Sequence, residues 1–310
     1  AFSIAGRVPD TTLVPNMGIV CGEVGIAGFA PSGSRELGEK IVQVMGKGIN
    51  AVILENHGIV AAGEDLFKAF VVFETLEFCA RLEINANRIG TPAGQSQYGL
   101  ELFKHNRYAE MGEFYPENCD GEEMRARHEM CKLVRRAYNQ KLLTSTQGTF
   151  SCRLGSNSFL ITPCGKDRKD IEPEDMVRIE NGLKEKGKIP DSAVEFHRIM
   201  YEKHPHINSI IMASPPNIMA FAVTKKAFDS KATPESHIVL GNVGRLPFGL
   251  ELTHPERAAQ AFEKGNPVAI IENDCIIAAA DSLTGAYDRL EVAEFTAKAL
   301  IAAASLDESY

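Results

Sequence analysis

The sequence predicts a layered α/β fold built twice over. Three observations carry that prediction. A strand–turn–strand–helix pattern occupies residues 51–89, the same pattern returns 217 residues later, and the composition is that of an ordinary globular chain. In the first occurrence residues 51–55 form a short apolar strand and Asn56-His57-Gly58 a turn. Residues 59–62 form a second strand, and Gly63-Glu64-Asp65 starts a helix with Leu66, Phe70, Phe73 and Leu76 at helical spacing. Residues 52–80 and 269–297 are identical at 12 of 29 positions, among them Ile53/Ile270, Glu55/Glu272, Asn56/Asn273, Leu66/Leu283 and Phe78/Phe295. An offset of 217 residues is too long for a solenoid unit and suits a duplicated domain.

The rest of the chain reads in the same alphabet. Residues 124–141 are an amphipathic helix, 148–154 and 158–162 are strands, and 193–203 a helix. An apolar strand follows at 207–213 and a helix at 217–223. Residues 91–123, rich in Gly, Pro and polar side chains, read as a linker between a unit at 1–90 and one at 124–310. The first residues match the middle of the second unit, near Ala220–Val223. A first unit of equal length would therefore include about 95 residues ahead of Ala1, on this polypeptide or another.

Composition limits the partners. The chain has 310 residues, 44% of them apolar and 24% charged, with a formal net charge of -8 and no block of like charge. Nucleic acid and anionic membrane surfaces are thereby disfavoured as partners. No apolar run is long enough to span a bilayer. Seven scattered cysteines, none in C-x-x-C spacing, argue against a disulfide framework or a thiolate zinc site and for a reducing cytoplasm.

Six short motifs in order carry a family resemblance. Residues 146–153 (Thr-Gln-Gly-Thr-Phe-Ser-Cys-Arg) form a glycine-containing turn and strand. Residues 160–165 read Leu-Ile-Thr-Pro-Cys-Gly, 171–177 Ile-Glu-Pro-Glu-Asp-Met-Val and 233–237 Thr-Pro-Glu-Ser-His. In the first unit, residues 30–37 and the turn Asn56-His57-Gly58 match the back half of the same pattern. The chain resembles the class II aldolase/adducin family. The resemblance implies an α/β/α sandwich with a central, mainly antiparallel sheet, in two tandem copies. It also implies metal-dependent aldol cleavage of a sugar phosphate, with zinc or another divalent ion held by an H-x-H pair and a third His, and with a Glu that shuttles protons. A homo-oligomer is expected.

Residue by residue, the second copy departs from that chemistry. Ala193 stands at the position of the family Glu and Asp191 at that of a phosphate-side Ser. Residues 211–214 (Ile-Met-Ala-Ser) replace the H-x-H element, and Asp274 replaces the third His. Thr146, Gly148, Thr149 and Ser192 could form a remnant anion pocket, although turn residues of this kind need no ligand. The first copy keeps His57, which matches the third metal ligand. A tyrosine lent by a neighbouring subunit would fall near Val14 and is missing. The reading is thus a sugar-phosphate aldolase-type lyase with its site in the first copy, completed by a segment outside this sequence, and with the second copy as scaffold. The alternative is a non-catalytic, adducin-like interaction protein. Other candidates read as ordinary structure. His204-Pro205-His206 is a surface turn, Glu195 and His197 lie two apart on a helix and face different ways, Gly22, Gly25 and Gly28 lack nucleotide-loop spacing, and 166–170 is a solvated charged loop.

Overall fold

The computed structural model describes every residue except 97, 98, 100, 103–110, 117, 118, 263, 264 and 308–310. Among the described residues the strands form two sheets. The small one has β1 (Val24–Ala27), β2 (Ala51–Leu54) and β3 (Gly58–Ala61) in that order. The large one contains β4 (Glu113–Phe114), β5 (Thr149–Gly155), β6 (Ser158–Ile161), β7 (Val177–Glu180), β8 (Leu183–Glu185), β9 (Ser209–Ala213), β10 (Val243–Leu246), β11 (Val268–Ile271) and β12 (Ile276–Ala280). Their order is β10-β11-β12-β9-β5-β6-β7-β8-β4. Only the pairs β10–β11 and β8–β4 run parallel, so the sheet is mainly antiparallel.

Side chains alternate across this sheet because successive residues of a strand point to opposite faces. Phe150, Leu160, Ile211 and Ala278 enter one core, and Phe159, Ile161, Ile210 and Ile277 the other. The first core is covered by α4 (Leu66–Ile89), α5 (Gly121–Asn139), α7 (Pro216–Ala222) and α11 (Leu283–Asp307). The second is covered by α6 (Val194–Lys203) and α10 (Pro255–Ala259). The result is an α/β/α sandwich.

The remaining helices are α1 (Phe2–Ala5), α2 (Pro15–Cys21), α3 (Arg35–Met45), α8 (Pro234–Leu240) and α9 (Leu250–Thr253). Local chemistry sets several boundaries. Asp65 caps α4 by accepting from the Lys68 N–H, and Ser34 caps α3 by accepting from Leu37. Helix α5 begins at Gly121, before the expected residue 124. The Asp120 carboxylate accepts from the N–H groups of Glu122 and Glu123, and the acidic first turn complements the helix dipole. The stretch read as a linker is also more than a linker, because β4 pairs with β8 at the sheet edge.

The recurring sequence pattern is a recurring structure. β1–β2 and β10–β11 are both parallel, and β2–β3 and β11–β12 both antiparallel. The intervening turns place Asn56 and Asn273 in the left-handed region with the same φ of 55°. Asparagine tolerates that conformation better than other non-glycine residues. The two differ in their surroundings. β12 pairs with β9, whereas no strand among the described residues pairs with the free edge of β3.

Buried polar contacts join the two parts. The Glu74 carboxylate on α4 accepts from the backbone N–H and hydroxyl of Ser145, both at 2.6 Å. The Asn273 amide donates to the carbonyls of Leu13 and Ala93 and accepts from Gln95. On α11, Glu294 caps α7 by accepting from the N–H groups of Asn217 and Ile218. Burial pushes its carboxyl up to about 7, against the opposing pull of those hydrogen bonds. A carboxyl whose folded pKa is raised favours folding below its ordinary range and loses that contribution as pH climbs to its folded value. We therefore expect native stability to fall by up to about 3 kcal/mol between pH 4.5 and 7 on this account. The Glu294→Gln variant should show a flatter dependence of melting temperature on pH from 5 to 8, measured by calorimetry. A slope identical to that of the parent would assign the effect to other groups.

Candidate functional site

Positions in residues 124–310 that sequence analysis set apart converge in space. Ala193 at the start of α6, Met212 and Ala213 on β9, Ser214 just beyond them and Asp274 in the β11–β12 turn all line one cavity of about 270 Å³, while Ile211 of the 211–214 element is buried in the core instead. Val14 and Asn16 from the N-terminal part complete its wall. The cavity therefore lies at the seam of the two parts. Val14 reaches the place where a lent tyrosine was expected and brings only an apolar side chain.

This donor set does not fit a catalytic zinc ion. At the expected ligand positions Met212 offers a thioether and Asp274 one carboxylate, while the Ser214 hydroxyl donates to the Asp274 carbonyl at 2.7 Å. Of the further carboxyls on the wall, those of Asp191 and Glu195 face arginines. Such an ion wants three His or carboxylate ligands with an open position. No group of three His, Cys, Asp or Glu side chains is placed to hold a metal among the described residues. Ala193 has no proton to move. No metal-dependent step can be derived for this cavity.

Thr146, Gly148, Thr149 and Ser192 do come together. They line a neighbouring cavity of about 530 Å³ with Lys68 and Gly63 from the first copy. Asp191 lines both cavities. Its carboxylate lies 3.6 Å from the guanidinium of Arg168. Arg168 corrects the reading of 166–170 as a solvated loop. Its side chain is fully buried and donates to the carbonyls of Gly148, Pro163 and Lys166. A planar guanidinium has five donors, and three carbonyls with one carboxylate nearby make its burial tolerable. It pins the turn at Gly148 from beneath.

The other candidates separate cleanly. His57 is exposed in the β2–β3 turn, where its backbone N–H donates to the Ser3 hydroxyl at 2.9 Å, and it does not line the cavity around Asp274. His197 is fully buried and shares a 2.6 Å hydrogen bond with the Ser151 hydroxyl, which also meets the Tyr201 hydroxyl. Burial pushes its imidazole down to about 3, so it stays neutral. Glu195 instead pairs with Arg198 at the surface. His204 holds the carbonyl of Ala259 at 2.8 Å, a packing role in a turn. The groups that sequence reasoning missed are Glu251 on α9 and its neighbour Asp274 considered as a pair. No motif marks Glu251, and only the fold brings it to the cavity.

Gly148 has φ of 95°, and a Cβ there would lie 2.3 Å from Leu143 Cδ2. Both the conformation and the space demand glycine. Gly148→Ala should lower stability by about 2 kcal/mol. A drop of several degrees in melting temperature would register it, and an unchanged midpoint would show that the turn relaxes freely.

Comparison with known proteins agrees with this architecture. The family described as Class II Aldolase and Adducin N-terminal domain matches residues 1–84 and 128–301. The chain is 28% identical over 168 residues to a protein named L-fuculose phosphate aldolase from Methanocaldococcus jannaschii, covering 54% of this chain and 91% of that one. It is also 28% identical over 171 residues to the protein of the same name from Methanococcus vannielii, covering 55% and 92%. Among solved structures, L-fuculose-1-phosphate aldolase from Thermus thermophilus superposes with a TM-score of 0.51 at 18% identity, covering 61% of this chain and 98% of that one. The sugar-phosphate aldolase from Thermotoga maritima gives 0.51 at 19% identity, with 60% and 97% covered. At such identities the structures speak for the fold, while the sequence match extends over most of the chain. The chain belongs to the class II aldolase and adducin N-terminal domain family.

Proposed function

We propose that this protein is a metal-dependent, sugar-phosphate aldolase-type lyase whose working site is built on residues 1–90 around His57. Residues 124–310 are then a second, degenerate copy that serves as scaffold, with 91–123 connecting the two. One observation carries this reading. Leu283, Tyr287 and Leu290 on α11 are buried in the core beneath the large sheet. Their counterparts on α4, Leu66, Phe70 and Phe73, are exposed, Leu66 at 88% against 5% for Leu283. A bare apolar face beside an open β3 edge is a surface awaiting cover. In the second copy that cover includes α5 and β9, and β9 carries the positions that would hold the H-x-H pair. An equivalent segment from outside this sequence, docked on β3, would bring two such residues beside His57. The exposed imidazole is a suitable third donor for zinc or a similar ion.

Further features fit the reading. The relatives are named for a sugar-phosphate aldolase, which supports a small sugar phosphate as substrate. Phe295 on α11 is exposed where Phe78 on α4 is buried in the core shared with α7, so α11 presents an unpaired contact face suited to a homo-oligomer. No helix among the described residues is long and apolar enough to cross a membrane. A cytoplasmic setting matches the cysteine pattern. Thr146, Gly148, Thr149 and Ser192 serve the turn rather than a phosphate, since Asp191 shares their cavity wall.

The test is cleavage of L-fuculose 1-phosphate by the natively purified protein with everything that accompanies it, before and after chelation. We expect activity that zinc restores, and a loss of at least about 100-fold in His57→Ala. Activity that survives His57→Ala would place the site elsewhere. A preparation with neither metal nor cleavage would support the non-catalytic, adducin-like alternative.

A further inference from the structure

The cavity at the seam has changed its electrical character as well as losing its ligands. Four carboxyl groups line it, from Asp191, Glu195, Glu251 and Asp274, and no Lys, Arg or His does. Glu195 is held by Arg198, and Asp191 faces Arg168. Among the described residues, Glu251 and Asp274 have no ion-pair partner. Glu251 is only 3% exposed, and its carboxyl oxygens, without a hydrogen bond of normal geometry, face a second acid, Asp274. A buried carboxylate without a partner costs more than an ordinary core can absorb, so the group either stays protonated or awaits a cation. Burial first, and each carboxyl's proximity to a second acid, push Glu251 well above the usual carboxylate range. Burial likewise raises Asp274 to about 6, and the Cys275 thiol donates to it at 3.5 Å.

The cavity wall also carries a donor. Gln147 lines it, and its Nε2 lacks an acceptor. Phe196, Met212 and Leu252 add apolar surface to the same wall. We propose that this cavity binds a small primary amine that also carries a hydroxyl or carbonyl oxygen. Its ammonium sits between Glu251 and Asp274, its carbon chain lies along Phe196 and Met212, and its oxygen accepts from Gln147. An ammonium group has three donors to offer two carboxylates. A bare divalent ion fits less well, because two carboxylates leave most of its coordination sphere unfilled. A phosphate is repelled by the acids that replace its former partners. This assignment concerns the second copy alone and stands or falls independently of the role given to His57.

Titration calorimetry on the full chain tests it, with 4-aminobutan-1-ol as probe and butane-1,4-diol, inorganic phosphate, zinc and calcium as comparisons. Saturable binding of the amino alcohol is expected, with the uncharged diol at least about tenfold weaker. The ammonium should displace the proton held by the acid pair, so the heat at pH 7 should vary with the ionisation enthalpy of the buffer. Glu251→Gln and Asp274→Asn should each weaken binding at least about tenfold while leaving the melting temperature unchanged or higher. Ala193→Met, which fills the cavity and spares the acids, should abolish binding as well. The proposal is overturned if the diol binds as well as the amine, if phosphate or a divalent ion binds at this site in the amine's place, if either acid variant binds normally, or if no saturable binding of the amine is seen.

Discussion

The structure depends on one apolar contact, the packing of α4 onto α7. Phe78, Leu82 and Ala86 belong to the same buried cluster as Ile218, Met219 and Phe221, together with Leu13 and Met17. Without that continuous core the three-stranded first sheet would have little to hold it, since so small a sheet buries too little surface to stand alone. The polar ties at the seam, Glu74 to Ser145 and Asn273 to Leu13, set the register of the contact, because each would be left unsatisfied by a shift of one residue.

The seam has a functional consequence. It draws Val14 and Asn16 into the cavity that the second copy builds from α6, β9 and the β11–β12 turn. The frame is kept by Gly148, whose conformation excludes side chains, and by Arg168, whose guanidinium braces the turn from below. Ala193, Met212, Ser214 and Asp274 face the empty space. Change there costs little stability, whereas change in the frame is punished by clash or by an orphaned donor.

The two strand–turn–strand–helix segments also show how context decides burial. Leu66 and Leu283 occupy equivalent positions on equivalent helices, yet one is exposed and the other sealed in a core. Periodicity marks both as core residues, and it does so correctly only where the covering layer is present. Glu77 and Glu294 differ for the same reason. The first pairs with Arg81 at the surface and the second caps α7 from within.

Much of the architecture was legible in the residues. Strand and helix periods, the Asp and Ser caps and the asparagine turns are local, and local sterics and hydrogen bonding enforce them wherever the segment lies. The 217-residue repeat marked the recurring strand–turn–strand–helix pattern, and the motif order pointed to the family. Distance in space is set by packing between segments remote in the chain, and no local pattern encodes it. Only the tertiary structure decided that Arg168, in a run that reads as solvated, is buried. It alone brought β4 out of an apparent linker into the sheet, and it alone set Glu251 against Asp274. A charge in a sequence carries no dielectric with it; the fold supplies the surroundings that determine whether that charge is a surface ornament, a brace or an unpaired group awaiting a ligand.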